Sequence, residues 1–147
     1  MKSNPIDLDA RLDCQIGAWL SMAPVVSGVP MGASHGIGYA LGAAFGIPHG
    51  HTSCIMLPAV MRWNQPATES RQALIMEALG APEKDPILAL RRLIAELELP
   101  RNLSAVGIGR EHFQRIAQQA MATPWVPSNP RPINGISDIV EILGLAS

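Results

Sequence analysis

Residues 32–64 read GASHGIGYALGAAFGIPHGHTSCIMLPAVMRWN and hold three of the four histidines, one of the two cysteines and the only tyrosine. The spacing predicts a helix over 35–45, although Gly36, Gly38 and Gly42 lie inside it and each costs about 1 kcal/mol relative to alanine. That cost is tolerated where another helix or a ligand approaches the backbone closely, so the expected element is a central helix buried on most sides. Gly46 then supplies a C-cap, and Pro48 prevents continuation. Thr52 and Ser53 are N-cap residue types for a second helix through Arg62. In it Ile55, Met56, Leu57, Val60 and Met61 form an almost continuous apolar surface, and Pro58 introduces a kink. Hydrophobic residues are 48% of the chain, aromatics only 4%, and runs of β-branched residues are scarce. The fold class is therefore all-α, a helical bundle packed with Leu, Ile, Ala and Met.

Gly32, Gly36 and Gly38 also spell GxxxGxG, a turn that lets a backbone approach a pyrophosphate at a helix N-terminus. Such a turn follows a buried strand. Here VVSGVPM precedes it, and Pro30 denies a ladder hydrogen bond where the strand would end. Tyr39 has no lysine four residues on, and 147 residues are few for an enzyme of that kind. Dinucleotide binding by this turn is set aside.

The histidines carry more. A straight helix over 35–45 rises roughly 15 Å, which puts His35 and His49 at opposite ends of it. The four residues 46–49 return about 13 Å when extended, so the two imidazoles meet only if the turn folds back along the helix. His49 and His51 bracket Gly50, and in extended chain both side chains point to one side, as a metal chelate requires. A three-histidine metal site of His35, His49 and His51 stands here beside ordinary hydrogen-bonded histidines.

The pairing of His35 with the turn Gly46-Ile47-Pro48-His49-Gly50, followed by a long apolar helix and Arg62-Trp63-Asn64, resembles the C-terminal helical domain of the iron-containing alcohol dehydrogenase family. The maleylacetate reductase-like branch is the nearest, within dehydroquinate synthase-like folds. Residues 10–13 through Trp19-Leu20, and Asn129-Pro130-Arg131-Pro132 with the final helix, extend the likeness over most of the chain. The resemblance implies that His35 and His49 bind the catalytic metal. It also implies a nucleotide-binding domain and a helix with an aspartate and a further histidine ligand, both expected before residue 1. Position 39, where relatives often carry another active-site histidine, is tyrosine.

The remaining chain reads as scaffold. Asn4-Pro5 opens a helix whose Leu8, Leu12, Ile16, Trp19 and Leu20 form a core-facing stripe, stopped by Pro24, with 24–31 a connector. A helix over 68–79 points Leu74, Ala78 and Leu79 inward. Asp85-Pro86 caps another to Leu99, with Ile87, Leu90, Ile94 and Leu97 on one face and Arg91 and Arg92 solvated. Leu103, Val106 and Ile108 form a buried turn before a helix over 110–121 anchored by Phe113 and Ile116, with His112 at the surface. The segment 123–135 is a proline-rich loop in which Trp125 is a packing anchor, or else a pocket wall, and Ser137 caps a last helix to Leu145. One helical domain over 1–147 is expected, with a site-bearing core over 31–64 and C-terminal helices over 68–147.

The net charge of −1 leaves no electrostatic footprint for nucleic acid or an anionic membrane. No secretory leader opens the chain and no apolar run nears ~20 residues. Cys14 and Cys54 are expected as reduced, buried thiols, and the localisation as cytoplasmic. Three functions are expected. One is a stand-alone enzyme in which His35, Tyr39, His49 and His51 act by acid-base chemistry, or around a divalent iron, zinc or manganese ion. Its substrate would be a small carbonyl, oxoacid or lactone-like molecule, its reaction hydrolysis, isomerisation, cyclisation or elimination, and it would bind no NAD(P) by itself. Another is one subunit of a split dehydrogenase whose nucleotide-binding subunit is separate. The third is a non-catalytic assembly domain. A homo-oligomer covering exposed apolar faces is expected in each.

Overall fold

A computed structural model describes residues 4–80 and 85–147, apart from the Leu79 side chain, and no strand occurs among them. The chain divides into two compact units, Met1–Pro30 and Met31–Ser147.

The first unit holds α1 (Leu8–Leu20) and the short α2 (Ala23–Val26). Asp7, not Asn4, caps α1, its carboxylate accepting from the Ala10 amide at 3.0 Å, because the chain around Pro5 forms a turn. Pro24 sits in the first turn of α2, where its missing N–H costs nothing. The expected core-facing stripe is exposed: Leu8 at 77% and Trp19 at 75%, with Leu12, Ile16 and Leu20 also open. Apolar spacing identifies a face, but a 30-residue unit of two helices has no second layer to bury it. Cys14 is exposed as well, and Cys54 is half-buried, so neither is the buried thiol expected.

In the second unit α3 (Ala33–Phe45) is central, packed by α4 (His49–Leu79) and α6 (Phe113–Met121). Ala33, Ile37 and Leu41 are fully buried on it, together with Met56 of α4, Ile116 of α6 and Ile139 and Leu143 of α7 (Ile136–Leu145). The glycines of α3 let the neighbours in. A Cβ at Gly36 would lie 2.7 Å from Thr123 Oγ1 and 2.8 Å from Val126 Cγ2, and one at Gly38 would lie 3.0 Å from Thr52 Oγ1. Gly46 ends α3 in the left-handed region at φ 68°, as its position demands.

Helix α4 differs from expectation in three ways. It starts at His49, with Thr52 and Ser53 one turn inside, both hydroxyls donating to the His49 carbonyl. It runs through Pro58, and its non-helical dihedrals occur at Thr68 (φ −136°), just beyond Pro66, so the expected helix over 68–79 is its continuation. On it Leu57, Leu74 and Ala78 are exposed; the expected inward side of Leu79 lies outside the described residues.

Helix α5 (Pro86–Glu96) begins where Asp85 accepts from the Ile87 amide at 2.8 Å. Burial raises the Asp85 pKa, but the Arg62 guanidinium at 2.8 Å and the helix-start amides outweigh it and hold it below its ordinary value. Ile87 and Ile94 are buried, while Leu97 is exposed because the helix ends one residue before it. Residues 110–112 form a 3-10 turn ahead of α6, and Gly135 rather than Ser137 stands at the cap of α7.

One amide pair joins these parts. Asn129 Nδ2 donates to Asn64 Oδ1 at 2.6 Å, and Asn64 Nδ2 donates back to Asn129 Oδ1 at 3.2 Å. The same Oδ1 accepts from the Ala33 amide at 3.2 Å, and Asn129 Nδ2 also donates to the Arg131 carbonyl at 2.6 Å. Both asparagines are buried.

Two predictions follow from this packing. Gly36→Ala gains about 1 kcal/mol of helix propensity but must displace Thr123 and Val126, at a cost of about 1–3 kcal/mol. Urea unfolding should therefore show net destabilisation, and a stabilised variant would contradict the packing. Asn129→Ala strands buried partners and should cost about 2–3 kcal/mol. A double-mutant cycle with Asn64→Ala should be clearly non-additive.

Candidate functional site

His35 lies in the first turn of α3, two residues after Ala33, whose amide Asn129 holds. At the far end Gly46 reverses the chain, Ile47 is buried and Pro48 leads into α4, whose first residue is His49. The turn does fold back along the helix. The His35 and His49 rings stand 5.2 Å apart, edge to face at 75°.

Trp125 completes the cluster. Its ring is 4.4 Å from His35 at 89° and 5.3 Å from Tyr39. The residue expected as a packing anchor is therefore a wall of the site, half-buried rather than in the core. It reaches this place because Val126 behind it is buried against the gap left by Gly36.

Tyr39, 55% exposed, projects one turn beyond His35. It stands between two hollows. One, of about 520 Å³, is lined by Tyr39, Gly42, Ile47 and His49. The other, of about 380 Å³, is lined by Tyr39, Ala43, Ala122 and Trp125.

His51 does not share the arrangement foreseen for it. The chelate needed extended chain from 49 to 51, but both residues are in the first turn of α4, where positions two apart point to different sides. Among the described residues no group of three or more His, Cys, Asp or Glu side chains is placed to hold a metal ion. The pair His35 and His49 is what this chain brings together.

Partial burial lowers the His35 pKa from its ordinary 6.5, and the charge that His49 can carry lowers it further. Burial likewise raises the Cys54 thiol. His112 is half-buried, its ring 5.0 Å from Phe45 and its Nε2 3.4 Å from Glu111. Arg91 and Arg92 are exposed, as expected, and border a different hollow with Arg101.

Sequence reasoning named Trp125 as a packing anchor or a pocket wall without tying it to the histidines, and it missed the pairing of Asn64 with Asn129. Their signal lay in Arg62-Trp63-Asn64 and in the loop 123–135, where a tryptophan and an asparagine stand among prolines with no helix of their own. Arg131 belongs to the same support, its guanidinium 3.6 Å above the Trp63 ring and donating to the Trp63 carbonyl at 3.0 Å.

Among the described residues no helix is long and apolar enough to cross a membrane. The chain is 34% identical to maleylacetate reductase of Burkholderia cepacia over 97% of its own length and 39% of that protein. It is 32% identical to maleylacetate reductase of Pseudomonas sp. strain P51 over 90% of its length and 36% of that protein. It thus spans about two fifths of the curated relatives it matches. Iron-containing alcohol dehydrogenase from Corynebacterium glutamicum superposes with a TM-score of 0.80 at 25% identity, over 98% of this chain and 39% of that one. Maleylacetate reductase from Agrobacterium tumefaciens gives 0.66 at 27% identity, over 79% and 31%. The C-terminal model of the Fe-containing alcohol dehydrogenase family matches residues 1–146, and with an all-helical fold carrying the His35 and His49 pair, the chain belongs to that family.

Proposed function

We propose that this chain supplies the metal- and substrate-facing half of a nicotinamide-dependent dehydrogenase of the maleylacetate reductase kind, with the nucleotide site and remaining metal ligands on another polypeptide segment. The observation that carries this is the 5.2 Å approach of His35 and His49 from two helices. Two imidazoles sharing one tetrahedral ion have ring centres roughly 5 Å apart, so the donor pair fits a divalent iron, zinc or manganese ion. When bound, such an ion supplies Lewis-acid polarisation of a carbonyl oxygen.

The chain's own residues do the rest of this half's work. His35, kept neutral by burial, presents a free lone pair at neutral pH. Trp125 fixes the His35 ring edge-on and screens it from water on that side. The Tyr39 ring stands 5.3 Å from Trp125, and from there its hydroxyl would donate to a substrate oxygen as charge develops on it. A nicotinamide held on the other segment would supply the hydride. The relatives' names favour reduction over the hydrolysis, isomerisation, cyclisation or elimination of a stand-alone enzyme. The exposed stripe on α1 is the surface such a second polypeptide, or a second copy, would cover.

The test is metal content by mass spectrometry on protein purified without affinity tag or chelator, together with any polypeptide that accompanies it. Near-stoichiometric iron, zinc or manganese, lost in both His35→Ala and His49→Ala, is the expected result. Absence of metal, or its full retention in either variant, overturns the assignment. A second prediction concerns acid. Because the folded chain binds the His35 proton more weakly than the unfolded chain, this site's contribution is intact above about pH 6.5 and is lost as the pH falls through the lowered folded value. Melting temperature should drop on acidification across that window, and His35→Gln should flatten the drop.

A further inference from the structure

Three guanidinium groups gather where the histidine chemistry uses none of them. Arg91 and Ala95 are four residues apart on α5 and so share a face, with Arg92 beside them. Just past the helix, Glu98 is left-handed at φ 58° and the Leu99 amide donates to the Ile94 carbonyl at 3.1 Å, which turns the chain back. Leu103, fully buried, then ties the next segment to the end of α7, its amide donating to the Ala146 carbonyl at 2.8 Å. Arg101 and Asn102 thereby line the same hollow as Arg91 and Arg92, of about 440 Å³ and within the size range of small-molecule sites, roughly 300–1,000 Å³.

An arginine beside a helix C-terminus has an ordinary role, which is to bond the last carbonyls. That role accounts for one of the three. Arg91 donates to the Leu145 carbonyl at 3.4 Å, a long contact. The other carbonyls of that end are already taken, Leu143 by the Ser147 hydroxyl, Gly144 by the Ser147 amide and Ala146 by the Leu103 amide. Arg92 has the Glu96 carboxylate at 3.5 Å, an exposed pair of small worth. Arg101 is exposed and has no partner among the described residues. Asn102 Oδ1 accepts from the Ser104 hydroxyl at 3.0 Å and the Ala105 amide at 2.9 Å, so its Nδ2 hydrogens are the part left to a ligand. Among the described residues lining the hollow, no side chain is acidic. In a chain of net charge −1, this concave surface concentrates positive potential.

We propose that this hollow binds a small anion carrying two or more linked phosphate groups. One carboxylate is satisfied by one guanidinium in a bidentate pair, whereas three guanidiniums require the oxygens and charge that a phosphate chain supplies. None of the lining residues belongs to the cluster of His35, His49, Tyr39 and Trp125, so the site is independent of the reading of that cluster.

The test is isothermal titration calorimetry of the full chain with inorganic tripolyphosphate in about 0.15 M KCl, with the melting temperature followed in parallel. Saturable one-to-one binding is expected. Arg101→Gln and Arg91→Gln should each weaken it at least roughly tenfold, whereas Arg71→Gln, an exposed arginine of α4 outside the hollow, should leave it unchanged. Ala95→Glu adds a carboxylate to the lining and should abolish binding, which keeps the test decisive if Arg91→Gln loosens the end of α7. Succinate should bind at least roughly tenfold more weakly than tripolyphosphate. His35→Ala should bind tripolyphosphate as the wild type does, which separates this site from an ion held at the histidines. The proposal is overturned if tripolyphosphate gives neither heat nor a rise in melting temperature, or if Arg101→Gln binds like the wild type. It is equally overturned if Arg71→Gln or His35→Ala loses binding as Arg101→Gln does, or if succinate binds as tightly.

Discussion

The structure around the site depends on the buried amide pair of Asn64 and Asn129. A buried primary amide must place two donors and an acceptor, and an unpaired one costs more than a paired one contributes. Asn129 meets this by bonding Asn64, the Ala33 amide and the Arg131 carbonyl at once. These partners belong to the middle of α4, the start of α3 and the loop that carries Trp125. Any shift of one relative to the others leaves buried polar atoms unpaired. The pair thereby fixes the register in which His35 meets Trp125, although neither asparagine touches either ring in the contacts that define the site.

A second constraint is closeness of approach. Helix α3 accepts glycines that weaken it as a helix because Thr123, Val126 and Thr52 occupy the space where side chains would be. The gap at Gly36 seats Val126, which places Trp125 on the exposed side of the same loop. The crossing at Gly38 seats Thr52, whose hydroxyl bonds the His49 carbonyl at 2.9 Å and steadies the turn of α4 that bears His49. Two glycines thus position two of the aromatic rings of the site. The same residues look like a nucleotide-binding turn in one-letter code, and only what surrounds them separates the readings.

Features governed by neighbouring residues were legible in the sequence. Gly46 and Asp85 mark helix ends through chemistry within a few residues, and Pro48 forces the break that brings His49 back. Features governed by distant residues were not. Asn64 and Asn129 are 65 positions apart, and nothing local marks an asparagine in a proline-rich loop as the partner of one in a helix. The extended HxH geometry does not form because α4 is capped at Pro48, four residues before Thr52, the first of its expected caps, so His49 and His51 are helical. The stripe on α1 was correctly amphipathic, yet periodicity reports a face and says nothing of what covers it.

The electrostatics of the pair are consistent with half of a metal site. His35 and His49 each lie in the first turn of a helix, where the partial positive charge of the unpaired amides opposes a nearby cation. Two neutral imidazoles bring lone pairs but no negative charge to offset a divalent ion in that field. A further ligand, a third imidazole or a carboxylate, would complete a tetrahedral set around such an ion. Among the described residues no acidic side chain joins the two histidines in a ligand group. In the proposed reading that further ligand lies on another segment, as the resemblance to the iron-containing alcohol dehydrogenases implies for its aspartate. The same field would favour the negative charge that develops on a carbonyl oxygen during reduction, the chemistry proposed above. In the proposed reading this half contributes the geometry of two converging imidazoles.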